Sequence, residues 1–359
     1  MLAPVSVLAN FASQILSILA SPAPVQQPLA APALQAIAGS MMYKCAHRGG
    51  RGNTVENSLP SFAWGLIDGA ATLELDNGIT KEAMSWSGTT RTLSRRSALT
   101  LCLPYVAQLL FPNDPDFPYV GKYIANLTLA QLKTLDCGSK RQDGYPMQLT
   151  YPGTRISTMQ EVFDFVDCAD PEHKILRGGF VKRQHALFSA SAYASQITYQ
   201  SFDWRTLIAM KALDPEIPTS ALIDDDTAWM PDNSTTPWLA GLRLDSFPGP
   251  TIGHRVAQAA RSIDADILSP SARSFFSPAL DPAMEDYATF TTKEMVDEAH
   301  KLDISVKVWT VNRLNIVEQM LAWKVDGIIT DYPDVVRRLT KQYGYPSAPT
   351  YPKHRYCRV

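Results

Sequence analysis

From Ile197 to Tyr343 the chain alternates without a break between short apolar strands and amphipathic helices, and this pattern constrains the fold more than any other feature. Strand patterns begin at Ile197, Thr219, Asp266, Ile304 and Gly327. Between them lie helical stripes, among them Met295, Val296, Ala299 and Leu302, then Leu314, Val317, Met320 and Leu321. Residues three and four apart share one helix face. Neighbouring parallel strands need a crossover of a dozen or more residues, usually a helix, and such crossovers are right-handed. A chain of this pattern builds a parallel sheet covered by helices.

The N-terminal part extends the pattern. Tyr43 to Thr80 reads as strand, glycine-rich loop, helix and strand. The helix Ser58 to Asp68 carries Leu59, Phe62, Ala63 and Leu66 on one face, and Asp68-Gly69 ends it. A further strand starts at His173 to Leu176 and runs into Arg177-Gly178-Gly179, which damages it; a poorly amphipathic helix, Val181 to Ala194, follows. Together these make eight strands with alternating helices. The expected fold is therefore α/β, a (β/α)8 TIM barrel with a damaged third strand. The competing architecture is an open doubly wound sheet, whose G-x-G-x-x-G fingerprint is absent because Gly49-Gly50-Arg51-Gly52 has the wrong spacing. Thr158-x-x-Glu161 and Thr291-x-x-Glu294 read as capping boxes, and Thr128 and Asp203 as helix caps. Glu82 to Phe111 breaks the pattern: it shows no strand alternation, with at most a short helix in Arg95 to Leu110. Local disorder is expected there and around Arg177 to Ser195.

Barrels carry their chemistry at the C-terminal ends of the strands. The first strand ends in His47-Arg48-Gly49 and the second in Glu74-Leu75-Asp76. Alternate strand residues point to one side, so Glu74 and Asp76 aim two carboxylates at one space, onto which His47 and Arg48 also open. An imidazole, a guanidinium and two carboxylates suit hydrolysis of an anionic substrate. Asp224-Asp225-Asp226 reads as a solvated loop run, and His173, His185, His254 and His300 as surface or helix residues.

Charge sets the partner class. The 359 residues hold 33 Lys and Arg against 35 Asp and Glu, and the pI is near 6.3. That balance gives no broad nucleic-acid footprint. Residues 1–40 carry no charged side chain and become rich in Pro and Ala, which reads as a signal peptide and linker of a secreted protein, although the basic n-region is missing. Asn10, Ser13 and Gln14 interrupt the apolar run, so no stable membrane span is expected. The barrel is expected over 41–343 and an extended tail over 344–359. Asn126-Leu-Thr and Asn233-Ser-Thr are glycosylation sequons compatible with secretion. The five cysteines, Cys45, Cys102, Cys137, Cys168 and Cys357, have no zinc-site spacing and leave an odd one. Cys45 reads as a small buried strand residue, and the pairing of the others stays open.

His47-Arg48-Gly49, Glu56-Asn57, Phe62, Glu74-x-Asp76 and Thr80-Lys81 resemble, in this order, the glycerophosphodiester phosphodiesterase family, and its fungal secreted branch most. Ser201-Phe202-Asp203, Val308 to Asn312 and Asp326 to Pro333 agree with it. The resemblance implies a TIM barrel of the PLC-like phosphodiesterase type. It implies hydrolysis of glycerophosphodiesters to glycerol 3-phosphate and an alcohol, with a divalent cation, calcium or magnesium. It makes His47 a catalytic acid/base, Arg48 a phosphate contact, Glu74 and Asp76 metal ligands, and Trp309 a pocket residue. Such a cation takes carboxylate oxygens and neutralises phosphate charge.

Two family elements are replaced or missing. After Thr-Lys the family has an Asp-Gly turn and a strand ending His-Asp, whose histidine is the second acid/base; here Glu82-Ala83 follows, and Glu82 to Phe111 contains no histidine. The third barrel strand should carry Asn-x-Glu-x-Lys, with another metal ligand, where Arg177-Gly-Gly-Phe stands. The alternative reading is therefore an impaired barrel that at most binds metal or phosphodiester. A phospholipase D of the spider-toxin type fits less well, because its C-terminal signature is absent.

Overall fold

The computed structural model describes residues 42–82, 84–87, 103–104, 114–117, 119, 121–169, 185–186, 189–190, 196–230, 232 and 234–348. The first strand, β1 (Tyr43–Ala46), lies between β2 (Thr72–Leu73) and the last strand of the chain. Two antiparallel pairs follow in sequence. One joins β3 (Asn77–Ile79) to β4 (Ser85–Ser87), the other β5 (Leu103–Pro104) to β6 (Leu135–Asp136). The main sheet continues through β7 (Tyr199–Ser201), β8 (Thr219–Ile223), β9 (Ile267–Pro270), β10 (Ser305–Val308) and β11 (Gly327–Thr330). Its order, β2-β1-β11-β10-β9-β8-β7, makes a seven-stranded parallel sheet.

The strands are largely buried on both faces, as a parallel sheet between helices and a barrel interior requires. All four residues of β9 and of β11 are buried. The longer helices are α1 (Leu59–Ile67), α2 (Met159–Ala169), α3 (Trp204–Leu213), α4 (Ile252–Ser262), α5 (Lys293–Lys301), α6 (Leu314–Ala322) and α7 (Pro333–Gln342), with single turns at Leu129–Leu132 and Asp225–Ala228. Their inward residues, among them Phe62, Val162, Leu207, Val256, Met295 and Val317, form one core with the sheet. A smaller core of Tyr119, Ile124, Leu127, Leu132, Leu135 and Ile156 sits under the segment before α2.

The expected strands appear near their expected places, apart from the third. His173 to Leu176 lies outside the described residues, as does most of Val181 to Ala194. Most of the two stretches expected to be disordered lies outside them too.

Two local expectations change. Ser85–Ser87 does form a strand, with Asn77 opposite Ser87 and Ile79 opposite Ser85. Thr80 closes the turn: its N–H donates to Met84 O at 2.9 Å, and its Oγ1 accepts the Met84 N–H at 3.1 Å. Backbone pairing thus overrides the lack of alternation. Leu103–Pro104, expected in a helix, pairs with Leu135–Asp136 instead.

The capping box at Thr158 and Glu161 forms in both directions, at 3.1 and 2.7 Å. The expected cap at Thr291 moves one residue on. Thr292 caps α5, because the Thr291 hydroxyl donates to Ser271 O across the core at 2.7 Å. Asp203 and Thr128 cap as expected. The acidic run is not a solvated loop. Asp224 is a buried cap, and buried Asp225 accepts the Phe275 N–H; Asp226 alone is exposed.

Cys45 is buried and free, while Cys137 and Cys168 are disulfide-bonded. The tail begins packed. Tyr345 is buried, and the buried Lys44 ammonium donates to Pro346 O at 2.7 Å. No helix among the described residues is long and apolar enough to cross a membrane. Residues 1–41 lie outside the description.

Candidate active site

The site grows out of the ends of β1 and β2. Past Ala46 the chain enters a tight turn in which Arg48, Gly49 and Gly50 all take positive φ, at 52°, 82° and 94°. Glycine is required at 49, since a Cβ there would lie 2.4 Å from Ser61 Oγ. Ser61 in turn donates to Arg48 O at 3.1 Å and closes the cap of α1. The helix and the turn therefore brace each other and hold His47 at the strand end. Beyond β2 the ladder continues for one bond, Glu74 N–H to Ala46 O at 3.0 Å, which seats Glu74 beside His47.

His47 is buried. Its Nδ1 lies 2.6 Å from Asp331 Oδ1, and its Nε2 lies 3.9 Å from Glu74 Oε2. Glu74 Oε2 also accepts the Arg48 N–H at 2.8 Å, and Glu74 Oε1 accepts from Gln200 Nε2 at 2.9 Å. Burial pushes the Glu74 carboxyl above its usual range; His47 and Arg48 pull against this, and Asp76 adds to it. The Arg48 guanidinium sits between two carboxylates, with Nε 2.7 Å from Asp76 Oδ2 and NH1 3.0 Å from Glu56 Oε2. Burial alone would lower its pKa, but Asp76, Glu56 and Glu74 raise it, so it stays charged. Asn57 clamps Asp76 from both sides, donating to Oδ2 at 3.3 Å and accepting its N–H at 3.1 Å.

These groups line a cavity of about 680 Å³. Its walls include Phe202 and Trp309, whose rings meet edge to face at 5.4 Å, and the Trp309 indole N–H donates to Ser269 O at 2.7 Å. All five residues singled out in the sequence, His47, Arg48, Glu74, Asp76 and Trp309, line this cavity. Asp203 lines it too, but its carboxylate is held by Arg205 at 2.6 and 2.8 Å. Among the described residues His47 is the one histidine in the lining. His185, His254 and His300 bond to Asp214, Thr251 and Asp326 instead.

Sequence reasoning missed Asp331, Gln200, Arg51, Tyr145 and Asn312. Asp331 offered a signal, as an acidic residue just past the end of a barrel strand. Tyr145 offered none.

A divalent cation can be tested against the donors present. Glu74 and Asp76 are hard oxygen ligands facing one cavity, while among the described residues no group of three or more His, Cys, Asp or Glu side chains is arranged around a metal position. Two carboxylates suit a cation of the magnesium kind, which fills its remaining positions with water and substrate phosphate. The donor set fits at that minimal level.

Residues 47–335 match the model of the Glycerophosphoryl diester phosphodiesterase family. A Glycerophosphodiester phosphodiesterase of Bacillus subtilis (strain 168) is 22% identical over 318 residues, covering 83% of this chain and 86% of that protein. One from Caldanaerobacter subterraneus subsp. tengcongensis is 22% identical over 306 residues, covering 83% and 98%. Among solved structures, a putative glycerophosphoryl diester phosphodiesterase from Silicibacter pomeroyi superposes with a TM-score of 0.63 at 23% identity, covering 87% of this chain and 98% of that one. An Oleispira antarctica phosphodiesterase, solved with the product sn-glycerol-3-phosphate, gives 0.55 at 17%, covering 84% and 97%. The parallel sheet and its helices belong to the (β/α)8 TIM-barrel class these structures share.

Proposed function

The chain belongs to the glycerophosphoryl diester phosphodiesterase family, and from that premise we propose that it hydrolyses glycerophosphodiesters to glycerol 3-phosphate and an alcohol in the cavity above β1 and β2. One observation carries this reading: His47 and Glu74 come within 3.9 Å of each other on the wall of a cavity at the C-terminal strand ends. The product bound to the Oleispira antarctica phosphodiesterase supports glycerol 3-phosphate as the product here.

Water adds to phosphorus, the bond from phosphorus to the alcohol oxygen breaks, and the alcohol leaves with a proton. His47 Nε2 takes this proton from the attacking water and passes it to the leaving alcohol oxygen. Arg48 offers charge to the phosphate from its place between Asp76 and Glu56. Glu74 and Asp76 hold the cation, calcium or magnesium, which when bound neutralises phosphate oxygens. Export fits residues 1–40 and the oxidised state of Cys137 and Cys168, since disulfides persist in oxidising compartments.

The rate is expected to be low. Among the described residues no second histidine joins His47 in the lining, and a second acid/base contributes about 10²–10⁴-fold. This is the point at which the reading borders on an impaired barrel. The test is to incubate the purified chain with glycerophosphocholine and magnesium or calcium and to measure glycerol 3-phosphate and choline together. Slow, matched release that disappears in His47→Ala supports the proposal. No release from a panel of glycerophosphodiesters with either cation overturns it in favour of a binding protein.

A further inference from the structure

The structure assigns Asp331 as the residue that positions His47, and Tyr145 as the residue that helps to hold Asp331 in place. The assignment rests on the reading of His47 as the acid/base.

The placement follows from sheet register. Ala46 of β1 is paired with Thr330 of β11, so the next residues, His47 and Asp331, leave adjacent strand ends side by side. The Asp331 side chain is fully buried. Its two oxygens each take two donors. Oδ1 faces His47 Nδ1 at 2.6 Å and Arg51 Nε at 2.8 Å, and Oδ2 accepts from Tyr145 OH at 2.9 Å and Asn312 Nδ2 at 2.6 Å. A carboxylate has about four lone-pair sites, so this one is saturated and cannot turn without losing a partner. Asn312 also accepts the Asp331 N–H at 2.9 Å, which fixes the backbone.

The consequence for His47 is chemical. An ionised carboxylate only accepts, so the proton of the neutral ring sits on Nδ1. The lone pair then sits on Nε2, the nitrogen nearer Glu74. With the other tautomer, the cavity would face an N–H where the reaction needs a proton acceptor. A buried aspartate plays the same part in serine hydrolases, where it sets the tautomer and the ring orientation without reacting.

Tyr145 reaches Asp331 from a loop far from both strands. That loop is pinned to the glycine-rich turn, with Gln148 Nε2 donating to Arg51 O at 2.6 Å and Leu149 N–H to Asn53 O at 2.7 Å. The Arg51 guanidinium lies over the Tyr145 ring at 5.0 Å, so the two donors that flank the carboxylate also brace each other. A purely structural aspartate would explain the burial and the ion pairs, but it would leave the catalytic ring unaffected.

The experiment uses the full chain, Asp331→Asn and Tyr145→Phe, with two readouts. Nitrogen-15 spectra of the His47 ring report which nitrogen carries the proton, whether or not the protein turns over substrate. Steady-state kinetics on glycerophosphocholine separate kcat from KM. Asp331→Asn is expected to lose the Nδ1–H form and to lower kcat by about 10²–10⁴-fold with KM within about threefold. Tyr145→Phe, which keeps its ring over Arg51, is expected to lower kcat several-fold and to broaden the His47 signals; it carries the test if Asp331→Asn does not fold. Unchanged tautomer and kcat in the folded variants overturn the assignment. A tautomer change in a chain that hydrolyses no glycerophosphodiester sustains the assignment and overturns the proposed reaction instead.

Discussion

Gln200 on β7 donates its amide N–H to Glu74 beyond β2, at 2.9 Å, and so joins the two end strands of the seven-stranded sheet across the site. The bond is sheet closure and active-site architecture at once. It brings the ends of an arc within side-chain reach and fixes one oxygen of the carboxylate nearest His47.

Gln200→Leu should therefore cost more than a surface change. It fills the volume but leaves a buried carboxylate oxygen short of a donor, a loss of about 1–3 kcal/mol. Urea unfolding should show that drop in midpoint with an unchanged m-value, and hydrolysis should fall further than the stability loss explains. A variant with wild-type stability and rate would show that Glu74 needs no anchor across the sheet.

The way these residues were found, or missed, follows from separation along the chain. His47, Arg48, Glu74 and Asp76 were legible because they lie within or just past one strand–helix–strand unit; the period-two reading sends both carboxylates to one side, and both line the cavity although β2 itself stops at Leu73. Gln200 and Glu74 are 126 positions apart, and His47 and Asp331 are 284 apart. Only the closing of the sheet makes them neighbours, and local pattern carries no trace of that. Thr291 shows the same limit at short range. Its spacing from Glu294 was right for a capping box, but a partner across the core, Ser271, captured its hydroxyl. Ser85–Ser87 is the converse, a strand with no strand signature, created by the partner it pairs with.

The carboxylate pair makes a cation prediction with a defined direction. Arg48 now pairs with Asp76, and a bound cation would compete for that oxygen. Chelator treatment should abolish hydrolysis, and added magnesium or calcium should restore it. Asp76→Asn should raise the cation concentration for half-maximal rate by at least about tenfold, since hard cations favour ionised oxygen ligands. Activity that survives chelation would remove the cation from the proposed function.

Lys44 predicts a pH dependence remote from the site. Its ammonium is buried on β1 with Pro346 O as its acceptor; burial, with Arg337 nearby, lowers its pKa from 10.5 to about 8. Between those values the unfolded chain binds the proton and the folded chain does not. Stability should therefore rise with pH across that window as the penalty is relieved, and be lowest from this source below pH 8. Lys44→Met should flatten the contribution, which thermal unfolding at pH 7.5 and pH 9.5 in the two proteins would reveal. An equal slope in both would place the dependence elsewhere.

Asp331 has the same sign at the acid end of the pH range. Burial would raise its carboxyl, but the bond and charge of His47, together with Arg51 and Asn312, hold it well below the usual range. The folded state therefore binds this proton more weakly than the unfolded state. The stability it contributes is full above the unfolded value of about 3.9 and is lost as pH falls through the folded one. Acid unfolding of Asp331→Asn should lack that component and so be shallower than in the wild type.

Gly49→Ala tests whether the turn positions the chemistry. At φ 82° a side chain is strained, and a Cβ would meet Ser61 at 2.4 Å, well inside contact distance. Ser61 cannot yield freely, because its one hydroxyl hydrogen is held between Arg48 O and Ser58 O and its N–H is capped by Ser58 Oγ. The clash must then push the His47–Arg48 turn away from α1. Stability should fall by more than about 1 kcal/mol, the excess over a tolerated glycine replacement. If the turn is what seats His47 against Asp331 and Glu74, kcat should fall with it at temperatures where the variant is still fully folded. A destabilised but fully active Gly49→Ala would mean that the strand ends alone hold the imidazole.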